Sequence, residues 1–197
     1  MRRGKTMKLS VVIPVFNEEK TIEKVLERVL GQAIGDWEKE IIVINDGSSD
    51  ATGEKLEKFS GRVRIIHHPR NQGKGAALRT GFEASRGDAV IIQDADLEYD
   101  PSDWPNLLKE LQGNPDLAAV YGTRELSPER RGYSLYVWGV RCLSFLVNLL
   151  FGSDLTDVYT CYKLVRGSMI RSIKLESDRF EIEAELTCKI LKQGGQI

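Results

Sequence analysis

The sequence is poor in cysteine and histidine and has almost no net charge, and these shortages exclude several classes of protein. Its 197 residues include three cysteines and two histidines, and the formal net charge is −1. Such a balance creates no overall field that attracts nucleic acid, so any anion recognition must be local. Cys142, Cys161 and Cys188 show neither metal-ligand spacing nor a disulfide framework, which favours buried thiols in a reducing compartment.

Long hydrophobic runs are also missing. The stretch that comes nearest to a membrane span, residues 133–151, carries Arg141 in its middle. The start of the chain, MRRGKTMKLSVVIPVF, has the basic and apolar parts of a secretory signal. Its apolar run is short, contains Pro14 and lacks a small-residue cleavage site, so a first strand is the better interpretation.

Three common nucleotide and metal motifs are absent. The turn after the first apolar run, PVFNEE, has no glycine, which argues against a dinucleotide fingerprint. A glycine follows Lys74, so GKG is not a P-loop. An EF-hand loop from Asp94 fails at Tyr99 and Pro105. A phosphatase-like D-x-D nucleophile is harder to exclude, although Thr or Val is expected where Glu98 stands.

The chain does have alternating strand and helix patterns. With 41% hydrophobic residues it has enough apolar surface for one sizeable core. Five short apolar runs predict strands, at residues 9–16, 41–44, 63–66, 89–92 and 117–121. Helical patterns separate most of them, so we predict an α/β fold with a mainly parallel sheet covered by helices on both faces. Residues 1–197 are expected to form a single domain.

Polar segments follow each predicted strand. They read PVFNEE, NDGSSD, HHPRNQGKG, QDADLEYD and GTRE. In sheets of this kind, ligands bind beyond the carboxyl ends of the strands. The sequence therefore predicts one binding site, built from these segments at one edge of the sheet.

The most acidic of these segments is VIIQDADLEYDP. It places Asp94, Asp96, Glu98 and Asp100 directly after a buried strand. A turn at the strand end lets two of the carboxylates reach one cation, and Mg²⁺ or Mn²⁺ is commonly shared between carboxylates and phosphates. The alternative is a solvated acidic turn before a helix that starts near Pro101.

Taken together, several stretches resemble family 2 glycosyltransferases with the GT-A fold, a Rossmann-like α/β architecture. They are VVIPVFNEEKTI, VINDGSSDAT, RNQGKGAALRTGFEASRGDAVIIQDADLEYDP, GTRE and LTDVYTCYKLVR. The similarity is greatest to dolichol-phosphate mannose synthases and related polyprenyl-phosphate glycosyltransferases. It implies a GDP-mannose or UDP-sugar donor, a Mg or Mn divalent cation, inverting transfer, and a polyprenyl or dolichyl phosphate acceptor at the cytoplasmic face of a membrane.

The resemblance assigns donor-binding and metal-binding roles to individual residues. The donor-binding residues are Pro14, Asn17, Glu18, Asp46, Lys74 and Arg79. The family often has two aspartates in NDGSSD, and Asn45 replaces the first, so the base or ribose contact falls to Asp46. The metal ligands are Asp94, Asp96 and Glu98. Arg79 has a surface helix position as its alternative.

Catalytic and acceptor roles follow in the same way. Asp94, Asp96 and Arg124 are the catalytic candidates, and Arg124, Arg131 and Asp157 are the acceptor-binding candidates. A solvated loop is the alternative for the two arginines, and a helix cap is the alternative for Asp157.

Other functions stay open at this point. A family 2 transferase that acts on a sugar hydroxyl in polysaccharide synthesis would need a general base, with Asp157 or Glu183 as candidates. A nucleotidyltransferase would bind the same ligands and release pyrophosphate, and a module that only binds sugar nucleotides would release nothing. Because the family usually continues with another strand and a basic segment, the chain is expected to be truncated at its C-terminus.

The segment 133–151 is predicted to form a helix with a narrow polar stripe. The stripe contains Ser134, Arg141, Ser144 and Asn148, and the rest of the surface is apolar. Such a helix is either buried in the core or rests in a membrane interface.

Overall fold

A computed structural model describes residues 6–123 and 134–197. The strands are β1 Lys8–Val15, β2 Glu38–Asn45, β3 Arg64–His67, β4 Ala89–Ile92, β5 Ala119–Tyr121 and β6 Lys163–Arg166. The helices are α1 Ile22–Gly31, α2 Thr52–Glu57, α3 Lys74–Ala84, α4 Trp104–Gly113, α5 Ser134–Phe151, α6 Gly167–Ser172 and α7 Ile182–Lys192, with a 3₁₀ turn at Pro101–Asp103.

The described strands form one six-stranded sheet in the order β3-β2-β1-β4-β6-β5. The pairs among β3, β2, β1 and β4 are parallel, whereas β6 runs antiparallel to both β4 and β5. The predicted α/β class is confirmed. Strand β6 was not predicted, because its few residues follow a loop without the alternation that identifies a strand on its own.

Hydrophobic residues pack on both faces of the sheet. Along β1, Val11 and Ile13 join the cluster formed with α1 and α4, and Val12 joins the cluster formed with α3 and α7. Successive strand residues point to opposite faces, so a continuous apolar run supplies two cores. This confirms the prediction of helices on both faces.

The parallel strands end at the same edge of the sheet, as predicted. Because β6 is antiparallel to β4, its first residue, Lys163, also lies at this edge. The antiparallel strand thus brings a charged side chain from late in the chain to the end of β4.

Helix α5 exposes its apolar side and turns part of its polar stripe inward. Ser144 is buried and accepts a hydrogen bond from the backbone N–H of Val158, while Asn148 bonds both the N–H and the carbonyl of Leu155. Trp138 is 72% exposed and Phe145 is 64% exposed. These two side chains are therefore outside the core, whereas Val147 on the same helix is buried.

Two further findings concern α5 and the cysteines. No helix in the described part of the chain has the length and apolar character that crossing a membrane requires. Cys142, on α5, is exposed, which corrects the expectation of three buried thiols. It lies beside Arg141, which is exposed as well. Cys161 and Cys188 are partly buried.

Candidate active site

Asp94 and Lys74 form an ion pair at the carboxyl end of β4. Nζ of Lys74, the first residue of α3, lies 2.7 Å from Oδ1 of Asp94, and both side chains are largely buried. The same ammonium lies 3.0 Å from Sγ of Cys161. The two predicted site residues therefore meet, although 20 positions separate them in the sequence.

A second buried pair lies behind the first. Nζ of Lys163 is 2.6 Å from Oε2 of Glu183, and the exposed fractions of the two side chains are 0% and 2%. The other oxygen of Glu183, Oε1, lies 3.4 Å from Nζ of Lys74, an ion-pair contact without an aligned hydrogen bond. Lys163 also lies over the ring of Tyr121 at 5.1 Å. A chain of alternating charges thus runs from Lys163 to Asp94.

The charge states in this network follow from its geometry. Burial lowers the pKa of Lys74, but the charges of Asp94 and Glu183 outweigh burial and raise that pKa above its ordinary value. Burial raises the pKa of Glu183, and the two lysines more than reverse this, so its pKa falls below the ordinary value. Lys74 and Glu183 therefore both carry charge at neutral pH. Burial raises the pKa of Cys161, which keeps the thiol neutral.

The acidic loop after β4 turns sharply at Leu97. Leu97 adopts a φ of 66°, and Oδ1 of Asp96 accepts a hydrogen bond from the backbone N–H of Glu98 at 2.9 Å. Stacked rings of Tyr99 and Tyr162, 4.8 Å apart, anchor the loop against β6. The turn lets consecutive acidic residues follow different directions instead of alternating along a strand.

The acidic side chains do not form a metal cage by themselves. Among the described residues, no three His, Cys, Asp or Glu side chains are grouped to hold a metal ion. Asp94 and Asp96 remain two oxygen donors on one strand end, which fits Mg²⁺ or Mn²⁺ when a substrate diphosphate supplies further ligands. The predicted metal role of Glu98 has no support from this grouping and stays a prediction.

The loops after β1 and β2 are joined by hydrogen bonds. The backbone N–H of Asn17 donates to Oγ of Ser48, and Oδ1 of Asn17 accepts from the N–H of Ser49. The N–H of Glu18 donates to Oγ1 of Thr52, while its carboxylate accepts from Thr21. Asn17, with a φ of 55°, stays exposed at this edge. The predicted donor-binding loops are thus held together as one surface.

Asp46 is buried beneath that surface. Its carboxylate accepts hydrogen bonds from the backbone N–H groups of Gln72 and Gly73 and lies 2.7 Å from Nδ1 of His68. These contacts hold the loop that leads into α3 and therefore position Lys74. A direct contact of Asp46 with the donor stays a prediction.

Gly73 and Gly75, the glycines of GKG, have no side chain, and this leaves room for segment 176–178 to pass close to the backbone. A Cβ on Gly73 would lie 2.3 Å from the carbonyl oxygen of Asp178, and one on Gly75 would lie 2.4 Å from that of Ser177. Arg79 donates to the carbonyl of Glu176 at 2.9 Å and pairs with the carboxylate of Asp178. Segment 176–178 therefore crosses the start of α3, and the described contacts of Arg79 serve this crossing rather than the Asp94 cluster.

The remaining predicted residues are less closely tied to Asp94. Pro14 lies within β1, opposite Ile44 of β2. Asp157 lies in the loop between α5 and β6, where Oδ1 accepts the N–H of Tyr159 at 2.8 Å. Arg124 and Arg131 lie outside the described residues, so their roles stay predictions.

Sequence reasoning missed Lys163 and gave Glu183 a different role. Glu183 was a candidate general base, but both of its oxygens face lysines and its pKa is lowered. A charged residue inside an apolar stretch was the available signal, since Glu183 follows buried Ile182 and Lys163 precedes buried Leu164. That signal indicates that a partner is needed and does not identify it.

Comparison with known proteins places the chain in a family. The family model for Glycosyl transferase family 2 matches residues 10–173, and the chain belongs to that family. Over 184 residues it is 33% identical to the dodecaprenyl-phosphate galacturonate synthase of Rhizobium johnstonii, covering 89% of this chain and 53% of the relative.

A second relative is similarly distant. The undecaprenyl-phosphate 4-deoxy-4-formamido-L-arabinose transferase of Pseudomonas aeruginosa is 34% identical over 193 residues, covering 92% of this chain and 50% of the relative. The chain spans about half the length of these curated relatives. The predicted resemblance to polyprenyl-phosphate glycosyltransferases of family 2 is confirmed.

Solved structures confirm the fold. The glucosyl-3-phosphoglycerate synthase of Mycobacterium tuberculosis, crystallised with Mn²⁺, UDP and phosphoglyceric acid, superposes with a TM-score of 0.77. Its identity is 24%, and the match covers 96% of this chain and 66% of that one. The predicted GT-A fold is thereby confirmed.

Proposed function

We propose that residues 1–197 form the catalytic domain of an inverting glycosyltransferase. It would transfer a sugar from a nucleotide sugar, GDP-mannose or a UDP-sugar, to a polyprenyl or dolichyl phosphate. The observation that carries the proposal is the pairing of Lys74 with Asp94 at the carboxyl edge of a family 2 domain. Both reported relatives are named for a polyprenyl phosphate, which supports the acceptor class.

The chemistry is a single displacement at the anomeric carbon. An oxygen of the acceptor phosphate forms a bond to that carbon, and the bond to the nucleoside diphosphate breaks on the opposite face, with the electron pair leaving on the diphosphate. Asp94 and Asp96 would hold a Mg²⁺ or Mn²⁺ ion, which would supply positive charge to the leaving diphosphate. Lys74 places a permanent positive charge at the same strand end.

The charge of Glu183 removes one of the two candidate bases, Asp157 and Glu183, that a sugar hydroxyl acceptor would need. A phosphate monoester has a second pKa of about 6, so its oxygen is already ionised at neutral pH and needs no base. A hydroxyl acceptor needs a base with a pKa near neutrality. Glu183 lies between two lysines and its pKa is lowered, so it is a poor proton acceptor.

Helix α5 supports the proposal of a membrane-embedded acceptor. Leu149 is 69% exposed and Leu150 is 76% exposed, on the same helix as exposed Trp138 and Phe145. A polyprenyl chain stays in the bilayer, so the domain must bring its substrate site to the membrane surface. An apolar helix surface partitions into the interface, at about 0.8 kcal/mol per buried methylene. We propose that the domain lies peripherally on a membrane, and the resemblance to polyprenyl-phosphate glycosyltransferases implies its cytoplasmic face.

Donor binding is tested by calorimetry with UDP, GDP and their sugars, with and without Mn²⁺. Asp96→Asn is expected to weaken Mn²⁺-dependent binding on the order of tenfold or more, because a ligand to the cation is lost. Asp36→Asn is the matched control, since Asp36 is an exposed aspartate in the loop between α1 and β2. Unchanged affinity in Asp96→Asn would remove the metal-bridged donor site.

The reaction is tested with a polyprenyl phosphate in vesicles. Release of nucleoside diphosphate together with a lipid-linked sugar is the expected result. Release of pyrophosphate would identify a nucleotidyltransferase instead, and binding without turnover would identify a binding module.

The membrane contact is tested on the same vesicles. The double variant Trp138→Ser/Phe145→Ser should bind them more weakly, and Phe180→Ser serves as the control because Phe180 is an exposed aromatic outside α5. Circular dichroism verifies that each variant is folded. Equal binding and equal turnover of the lipid by the folded double variant and the parent would disprove the role of α5.

A further inference from the structure

Lys74 has two carboxylates within reach, and it contacts them unequally. Its Nζ lies 2.7 Å from Oδ1 of Asp94 and 3.4 Å from Oε1 of Glu183. Oε1 of Glu183 is a buried acceptor that has no aligned hydrogen bond. The ammonium therefore stands beside a second acceptor that it does not fully use.

Lys163 fixes the orientation of the Glu183 carboxylate beside Lys74. Lys163 is 0% exposed and donates to Oε2 of Glu183 and to the carbonyl of Val158. These bonds occupy the far side of the carboxylate and leave Oε1 directed at Lys74. A buried charge without a partner is costly, so Glu183 keeps its charge because lysines lie on both sides.

The carboxylate of Asp94 binds a divalent metal ion less tightly while it is also paired with the Lys74 ammonium. A divalent ion on Asp94 competes with the Lys74 ammonium for the same carboxylate, and two positive charges at this distance repel each other. The competition is weaker if the ammonium can move to another carboxylate. Glu183 is in place for that, with an oxygen 3.4 Å away.

We propose that Glu183, oriented by Lys163, is a positioning residue that takes over the Lys74 ammonium when Asp94 binds a divalent cation. Lys74 then acts as an internal cation that competes for Asp94, and Glu183 reduces that competition. The inference deepens the proposed function, because it rests on a divalent cation at Asp94. It adds two residues, Lys163 and Glu183, to those that set the affinity of the site.

If Lys163 and Glu183 formed only a structural ion pair, replacing both would leave the Mn²⁺ affinity of the folded protein unchanged. The double variant Lys163→Met/Glu183→Gln removes one positive and one negative charge, so the net charge near Asp94 is unchanged. Replacing both members of a buried pair by residues of similar size commonly preserves stability, whereas Glu183→Gln alone leaves Lys163 without its ion-pair partner. The double variant therefore tests the role of Glu183 without relying on a variant that fails to fold.

The experiment measures Mn²⁺ affinity by electron paramagnetic resonance, for Mn²⁺ alone and with UDP or GDP. Lys74→Met should bind Mn²⁺ more tightly, because the competing ammonium is gone. The double variant should bind Mn²⁺ more weakly, on the order of tenfold, because Lys74 has only Asp94 left. The control Glu185→Gln should match the parent, since Glu185 is in the same helix and pairs with Lys189 instead.

The two opposite shifts are both required. Equal Mn²⁺ affinity in the parent and the folded double variant would overturn the inference, and so would weaker binding in Lys74→Met. In the Asp94→Asn background, Lys74→Met should raise Mn²⁺ affinity much less than it does in the parent, because the carboxylate for which both cations compete is gone and only charge repulsion is relieved. A parent that binds no Mn²⁺, alone or with either nucleotide, also overturns the inference.

Failure of the proposed function gives a different result. If the shifts in Mn²⁺ affinity appear and no lipid-linked sugar forms, the inference holds and the acceptor or reaction is wrong. If the product forms and the shifts are absent, the proposed function holds and the role of Glu183 is wrong.

Discussion

Asp46 and Asp94 follow neighbouring parts of the same sheet edge, yet their carboxylates are held in different ways. Asp46 comes after β2 and accepts hydrogen bonds from the backbone N–H groups of Gln72 and Gly73, with His68 beside it. Asp94 comes after β4 and is paired with the Lys74 ammonium. One carboxylate is held by the backbone and the other by a side chain on four rotatable bonds.

The difference separates a structural role from an adjustable one. Backbone N–H groups cannot leave without unfolding the loop, so Asp46 holds the entry to α3 in one conformation. A lysine side chain can change partner at little cost in backbone energy, so Asp94 remains available to a ligand. Two aspartates that look alike in NDG and QDAD are thus held differently: Asp46 fixes the loop before α3, and Asp94 is the one that we propose binds the cation.

The largest effect is expected for Asp94→Asn. If Asp94 acts on the leaving diphosphate, turnover should fall on the order of a thousandfold, equivalent to about 4 kcal/mol of transition-state stabilisation. The melting temperature should change little, because Lys74 retains Glu183 as a partner. Steady-state kinetics and thermal melting measure the two effects. Normal turnover with a large loss of stability would reverse the comparison.

The next largest effect is expected for Asp46→Ala. Two partly buried backbone N–H groups and His68 lose their acceptor, which should lower the free energy of unfolding by about 3 kcal/mol. Urea denaturation measures this change. Asp36→Ala, at an exposed loop position, should stay within about 0.5 kcal/mol of the parent. A stable Asp46→Ala protein would show that the loop before α3 does not depend on this carboxylate.

Glu185 sharpens the comparison because it combines both kinds of partner. Burial raises its pKa, but Lys189 and the backbone N–H groups of Ser177 and Glu176 lower the pKa to about 2. A lowered pKa stabilises the fold above the unfolded value of 4.5, and this contribution is lost as the pH falls from 4.5 towards about 2. The parent should therefore be more stable than Glu185→Gln at pH 6, and the gap should shrink in acid.

Denaturation at a series of pH values measures that gap. Lys174→Gln is a control for general charge effects, since Lys174 is an exposed residue in the loop between α6 and α7. A gap that is constant from pH 6 to pH 3 would show that Glu185 contributes through packing rather than through its charge.

The smallest effect concerns the turns that follow the two aspartates. Gly47 has a φ of 68°, and Leu97 has nearly the same value, 66°, with a side chain that must bear the strain. Leu97→Gly should therefore be more stable than Leu97→Ala by about 1 kcal/mol, the reverse of the usual order. Gly47→Ala should cost more, because its Cβ would lie 2.3 Å from the carbonyl carbon of Arg70. Urea midpoints decide the order, and a more stable Leu97→Ala would disprove the strain at Leu97.

Much of the fold could be predicted because its signals are local. Strand β4 was predicted at the bounds it has, Ala89–Ile92, since all four residues are apolar and buried. Strand β2 begins earlier than predicted, at Glu38, because its first residues are charged and pair with the start of β1. Strand β6 was missed because it depends on partners that are distant in the sequence.

The amino-acid sequence alone determined the alternation of apolar runs, the edge where the site forms, the acidic segment after β4 and the family. These are patterns of neighbouring residues, and the backbone converts them directly into strands and turns. Only the tertiary structure decided which charges meet, since Lys74, Asp94, Lys163 and Glu183 come from four separate elements. It also decided that α5 leaves Phe145, Leu149 and Leu150 exposed, because the side that packs inward carries buried Val147 and the hydrogen-bonded Ser144 and Asn148.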